Sequence, residues 1–254
     1  MLIPITYKTD ILSRKLEWFN NKDLEMQVSL DVEPNWIKFN NDQVGYYRVN
    51  YPQDMWASLT NVLKNQTNAL SIADRAHLIN DVFSLAEATL IDYDVALELT
   101  SYLTNESEYV PWSVASTNLL NLKSRLYDLY DNQQFLEFGQ SRIREIYKEV
   151  GWDVSSDDHL KNHLRTTVLN FACAVGLPEC LTEVGNKFND WLKNTDLRPS
   201  PDLRNIVYYY GMASAGNSQN WEVVWGVYMS EPDASEKAKL IYGLSGIKHT
   251  EILG

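Results

Sequence analysis

The chain is short of the groups on which chemistry is usually built. Its 254 residues hold four histidines and two cysteines, and Lys plus Arg (22) fall well below Asp plus Glu (34), leaving a net charge of −12. No basic stripe occurs, which excludes phosphate-backbone binding and hence a nucleic-acid partner. No apolar run approaches the ~20 residues that span a bilayer. The opening Met1-Leu2-Ile3-Pro4 lacks the charged region and long apolar core of a signal peptide. It reads instead as a strand entered midway, so the chain is expected to be a fragment. There is no Gly-x-Ser-x-Gly elbow, P-loop or dinucleotide fingerprint. His159 and His163 stand four apart and could share a helix face, but Leu160 follows His159 where a metalloprotease helix carries Glu. They read as solvated residues of a helix start behind Ser155-Ser156-Asp157-Asp158, while His77 reads as a packed or partly exposed side chain and His249 as part of a frayed end.

What is present is ordinary globular material, 44% hydrophobic and 12% aromatic. It changes period at Gly45-Tyr46-Tyr47-Arg48-Val49-Asn50-Tyr51. Before this stretch, residues 2–8, 25–32 and 36–40 alternate like strands, with Pro4 allowed only at an edge or strand start. Asn40–Gln43 supplies turn residues, so 36–51 is expected to be a hairpin burying Trp36, Tyr46 and Tyr47. After Pro52, with Asp54 as cap, helical spacing sets in. Helices are expected at 55–63, 72–90 behind a Ser71…Asp74 capping box, 95–103, 111–129, 133–150, 159–175, 179–192, 201–215, 221–229 and 236–247. Leu164-Arg165-Thr166-Thr167-Val168 maps onto Leu203-Arg204-Asn205-Ile206-Val207, and a period near 40 residues of paired helices is that of an α-solenoid. A third copy starts at Glu236 and no polar end cap follows, so the natural chain is expected to continue. The expectation is a mainly α fold: a HEAT/armadillo-like α-solenoid of antiparallel helix pairs over 52–254, preceded by part of a small β-sandwich over 1–51.

Cys173 and Cys180 flank Gly176 and Pro178, which should end one helix and start the next. That brings the two within disulfide reach, leaving open a bridge or two buried thiols. Two sequons, Asn65-Gln66-Thr67 and Asn105-Glu106-Ser107, are N-glycosylation candidates in polar inter-helix stretches.

Residues 45–51, preceded by Trp36-Ile37-Lys38-Phe39-Asn40, resemble the end of the small β domain in zinc aminopeptidases of the aminopeptidase N type. Ile3–Tyr7, Asp74-Arg75-Ala76…Asp81…Leu85-Ala86, Glu108-Tyr109-Val110-Pro111-Trp112, Cys173…Cys180 and Leu203-Arg204 carry the likeness along the rest of the chain. The resemblance implies the last part of the β-sandwich and much of the helical domain that forms a bowl over the zinc site and contacts peptides. It also implies a Cys173–Cys180 disulfide and interdomain roles for Tyr46, Tyr47, Arg48, Tyr51 and Trp112, with Arg48 tying the strand end to a buried carboxylate or carbonyl. The implied partners are the catalytic domain of the same chain, peptide substrates and a second copy through the solenoid. Membrane attachment would come only through an N-terminal segment. The family's His-Glu-x-x-His helix and Gly-x-Met-Glu-Asn motif have no match here, so no catalytic or zinc residue carries over; the zinc would belong to the parent's catalytic domain. Pro52 stands where the family usually has Asp, and no cysteines remain for the second disulfide of some members. The implied parent is an extracellular or cell-surface aminopeptidase. The alternative is a helical-repeat binding scaffold from an inactive relative.

Overall fold

The computed structural model describes residues 1–126, 132–154 and 158–248. Among them are three strands and ten α-helices, divided between two compact units, Met1–Leu122 and Lys123–Gly254. The expected end of the fourth helix near Leu129, the polar run 155–157 and His249 lie outside the described residues.

In the first unit β1 (Leu2–Thr9) lies between β2 (Lys15–Asn20) and β3 (Ile37–Phe39) and is antiparallel to both. Pro4 pairs with Trp18 of β2 in the part of β1 that β3, opposite Tyr7–Thr9, does not reach. There β1 is a local edge, the position a residue without an N–H requires. The described residues make one sheet rather than two packed layers, and the expected strand at 25–32 does not form. Met26, Val28 and Leu30 are half-buried between exposed neighbours, but the segment pairs with nothing described. Alternation there records one-sided burial, not a ladder.

The helices of this unit follow their local signals closely. α1 (Gln53–Asn65) has Pro52 at its cap position; Asp54 sits inside the first turn, its carboxylate accepting only from the neighbouring Met55 N–H. α2 (Ile72–Glu87) is capped by Ser71, whose hydroxyl accepts from the Asp74 N–H at 3.2 Å. α2 ends on Thr89 at φ 60°, with Leu90 N bonded to Leu85 O and Thr89 N to Ala86 O. This is the Schellman arrangement with threonine in glycine's usual place. α3 (Tyr93–Leu99) stops short of the expected 95–103 and continues as a 3-10 turn over Thr100–Asn105. α4 (Tyr109–Arg125) opens two residues before Pro111, which is tolerated in a first turn.

The second unit contains α5 (Gln133–Val150), α6 (His159–Ala174), α7 (Pro178–Lys193), α8 (Arg204–Ala215), α9 (Ser218–Ser230) and α10 (Ala234–Leu244). α5 packs on α6, α7 on α8 and α9 on α10; α6 and α10 also pack on α8, and α7 on α9. Each of these last contacts joins a helix to the one two further on, which is how a helical solenoid stacks. The 39-residue repeat therefore lays α6 over α8. Gly211 permits the close approach of α8 to α7, since a Cβ there would lie 2.4 Å from the Cβ of Phe188. Val168, Phe171, Phe188, Trp191, Val207 and Leu240 fill the core between these helices.

Gly176, at φ 73°, ends α6 and Pro178 opens α7, so that the two helices turn through 106°. Across this corner Cys173 and Cys180 are bonded in a disulfide, with Cα atoms 5.3 Å apart. Of the two readings open to the spacing, the bridge is the one formed. Replacing both cysteines by alanine is expected to lower stability by about 2–3 kcal/mol, the range for a short closed loop. The check is a urea titration followed by helical circular dichroism; an unchanged midpoint would contradict it.

Candidate functional site

The stretch from 40 to 51 is not a strand returning on β3, and the reason lies in one side chain. Asn40, Asp42 and Gln43 all take left-handed backbone, at φ 53°, 56° and 58°, a conformation that costs non-glycine residues energy. Buried Asn40 offsets it: its amide nitrogen donates to the carbonyls of Gly45 (2.8 Å) and Tyr47 (3.1 Å), and its oxygen accepts from Gly45 N (2.7 Å). Those are the backbone groups a hairpin partner would have used. Gly45 is required, because a Cβ would stand 2.1 Å from the Tyr47 ring. Tyr47 donates its hydroxyl to Pro4 O, and buried Tyr51 accepts from Phe39 N while its ring meets Trp56 edge-on at 4.9 Å. Trp36 is buried as expected, but Tyr46 is fully exposed, since the turn projects it away from the sheet.

Beneath this segment runs a chain of five ionisable side chains. Arg48 donates to Asp81 Oδ1 at 3.1 Å and to Asn80 O at 3.3 Å. Asp81 Oδ2 also accepts from Val49 N (3.0 Å) and lies 2.9 Å from His77 Nε2. His77 Nδ1 is 3.0 Å from Lys38 Nζ. An ammonium only donates, so Nδ1 accepts and the Nε2 proton points at Asp81. Lys38 donates to Phe39 O and pairs with Asp74 at 3.2 Å; Asp74 in turn accepts from Asn41 Nδ2 and Asp42 N. The Asp74 carboxylate is thus turned to this chain and does not return to the Ser71 N–H, so the expected capping box is only half formed. Lys38 and Asp74 have no exposed side-chain surface. Burial pushes the Lys38 ammonium below its ordinary pKa, with Asp74 pulling it partly back. The chain ends at a cleft of about 450 Å³ beside Tyr46, Tyr47, Arg48 and Asn80.

Three further carboxylates are closed in the same way. Glu106 accepts from both Nε and Nη2 of Arg75 (2.7 and 3.0 Å), from Tyr102 Oη (3.1 Å) and from the N–H groups of Ser107 and Glu108. Buried Trp112 donates its indole N–H to Glu106 O at 2.8 Å. In the second unit Glu236 accepts from Arg204 (2.7 Å) and Tyr208 (3.1 Å), while Arg198 pairs with Glu231. Burial opposes ionisation of Glu236, but Arg204 outweighs it and holds the carboxyl below its ordinary value. The Asp233 N–H and then Arg198 do the same for Glu231.

Burial raises the phenols of Tyr47, Tyr51, Tyr102, Tyr147, Tyr208, Tyr210 and Tyr242. The unfolded chain ionises these groups near pH 10 while the folded chain keeps its protons, so stability must fall as pH rises above about 10. In an alkaline titration, phenolate absorbance from these seven is expected to rise together with loss of helical dichroism. Full ionisation near pH 10 with the helices intact would contradict it.

His159 and His163 are exposed on α6, and no group of three His, Cys, Asp or Glu side chains able to hold a metal ion occurs among the described residues. Asn65 and Asn105 are both exposed, at the ends of α1 and of the 3-10 turn. The Arg48 end of this chain, a guanidinium on a buried carboxylate and a carbonyl, is the contact that the resemblance implies; the rest has no counterpart in the sequence reading, although Asp74, His77 and Asp81 recur at helical spacing among Leu78, Ile79 and Val82. Polar groups on an apolar face were its signal.

Residues 36–254 match the family described as the ERAP1-like C-terminal domain. The chain is 38% identical over 259 residues to a glutamyl aminopeptidase of Bitis rhinoceros (99% of this chain, 26% of the relative) and 35% identical over 257 residues to that of Homo sapiens (99% and 26%). It is 30% identical over 254 residues to the thyrotropin-releasing hormone-degrading ectoenzyme of Rattus norvegicus (96% and 24%). The chain spans about a quarter of the length of these curated relatives.

Proposed function

The chain belongs to the ERAP1-like C-terminal domain family, and from that membership we propose that it is the non-catalytic portion of a zinc-dependent aminopeptidase. In this reading its helical repeats enclose the parent protein's active site and contact the peptide whose N-terminal residue is removed. The zinc is held by the parent's catalytic domain, which is the main partner of this chain. The observation that carries the reading is the family match over 36–254. It is supported by the closure of the buried carboxylates Asp74, Asp81 and Glu106, each taken up by donors of its own unit. An extracellular or cell-surface setting accords with the Cys173–Cys180 disulfide and with the relative named as an ectoenzyme.

The test is complementation. The chain alone is expected to release no N-terminal residue from a panel of aminoacyl anilides, with or without zinc. Supplied as a separate polypeptide to the upstream portion of the parent, it is expected to restore turnover of peptides that the upstream portion handles poorly by itself. Zinc-dependent turnover by the chain alone would overturn the reading. Undiminished peptide turnover by the upstream portion alone would remove the enclosing role.

A further inference from the structure

α10 wears its residues inside out. Its exposed positions, Ala234, Ser235, Ala238, Ile241 and Tyr242, carry no charge, while Glu236 is buried and Lys237 and Lys239 are half-buried. The charges are used inward: Glu236 holds Arg204 at 2.7 Å and Lys239 at 3.4 Å, and Lys237 lies over the Tyr228 ring at 5.1 Å. A helix that meets only water turns its charges outward, yet Ile241 and Tyr242 are 45% and 46% exposed. The pattern continues onto the neighbouring helices. Tyr242 stacks on Tyr209 of α8, with ring centroids 4.6 Å and planes 13° apart, and Tyr209 meets Tyr210 edge-on at 5.0 Å. Tyr210 in turn donates its hydroxyl to Asn170 Oδ1 on α6 at 3.3 Å. One line of contacts thus crosses three stacked helices. The one charged residue of α8, Arg204, lies at its start and is taken up by Glu236. The hydroxyls of Tyr209 and Tyr242 and the amide nitrogen of Asn170 make no hydrogen bond to a described residue.

We propose that this belt, Asn170–Tyr210–Tyr209–Tyr242 with Ile241 beside it, binds an extended peptide by its main chain and without regard to side-chain charge. The inference rests on the reading of these helices as peptide-contacting. Dimension and charge name the occupant. Packed helices lie about 10 Å apart, so the belt runs roughly 20 Å from α6 to α10, the length of about six residues of extended chain at ~3.3 Å each. A covering helix would lie in the groove between two helices; a belt crossing three at one level fits a strand-like occupant. On a chain of net charge −12, a face without charge offers no ion pair to an acidic or a basic side chain. What it offers is flat ring surface held by stacking, at little cost in side-chain entropy, and the hydroxyl and amide groups of Tyr209, Tyr242 and Asn170 for peptide N–H and C=O groups.

The experiment titrates the protein into an end-capped peptide of about ten residues, the six of the belt with overhang, made of Gly, Ser, Ala and Val and carrying an uncharged fluorophore. Two companion peptides add a pair of Lys or a pair of Glu. Fluorescence anisotropy is expected to show saturable binding, with the three Kd values within about threefold of one another and unmoved by salt, as contacts without ion pairs require. Tyr209→Ala and Tyr242→Ala are each expected to weaken binding about tenfold, as the loss of an aromatic anchor does. Tyr242→Phe keeps the stack and is expected to cost about threefold, the loss of one hydrogen bond. Ile241→Ser and Tyr242→Phe change only outward-facing atoms, so they decide the matter should an alanine variant fail to fold. No saturable binding, binding that follows peptide charge or salt, or binding that these variants leave unchanged overturns the proposal. A dimer in sedimentation that Ile241→Ser turns into monomer gives the face to a second copy and overturns it as well. Either failure leaves the aminopeptidase reading standing, since complementation decides that; failed complementation with peptide binding intact removes the enclosing role alone.

Discussion

Replacing Glu106 by alanine is expected to destabilise the first unit by about 3–5 kcal/mol, the cost of stranding one member of a buried ion pair. Glu106 gathers five donors, and its side chain and that of Arg75 are 1% and 5% exposed. Burial alone would lower the Arg75 guanidinium, but the hydrogen bonds and charge of Glu106 more than reverse this. Without the carboxylate, Arg75 keeps only Leu70 O as a partner among those described, and the Tyr102 hydroxyl loses its acceptor. The alanine variant also frees the backbone just before α4, where Ser107 and Glu108 donate to Glu106. Urea unfolding followed by circular dichroism checks the figure through the midpoint at unchanged slope. A loss below about 1 kcal/mol, the level of a surface pair, would show that the cluster is solvated in solution.

The second large effect is expected at Asp74. Asp74→Ala strands the wholly buried Lys38 ammonium and leaves Asn41 Nδ2 and Asp42 N without their acceptor. A loss of about 3–5 kcal/mol is again expected. The companion variant Lys38→Met with Asp74→Leu removes both charges and puts apolar volume in their place. It should recover much of that loss, because the desolvation penalty disappears with the pair. Its residual deficit reports the Asn41 and Asp42 donors, which still lack a partner. If the double variant were as damaged as the two single variants summed, the ion pair would not be the dominant interaction at this site.

These effects lie where the sequence was least legible. Helices were read well because their signals are local: Ser71 before Asp74, Gly176 and Pro178 at one corner, and apolar spacing along 133–150 and 178–193. The solenoid followed from the 39-residue repeat, which is local information used twice. The sheet was read less well. β2 alternates, but its apolar Leu16 and Trp18 are exposed, so its pattern marks no buried face. The hairpin over 36–51 failed because Asn40 satisfies by side chain what a strand would satisfy by ladder. The ion pairs were unreadable for a different reason. Lys38 and Asp74 lie 36 positions apart, Arg75 and Glu106 lie 31 apart, and no periodicity links residues across such gaps. The spacing of Asp74, His77 and Asp81 puts them on the apolar face of α2, but only folding shows which partners meet them there.

The measurement that tests the account most directly is the sequence of the encoding transcript upstream of the Met1 codon. The expected result is an open frame carrying His-Glu-x-x-His, a distal Glu and Gly-x-Met-Glu-Asn, which would make these helices the substrate-facing portion of an active zinc aminopeptidase. A frame in which those ligands are replaced, or one that begins at Met1, would contradict it and leave a helical binding scaffold in its place.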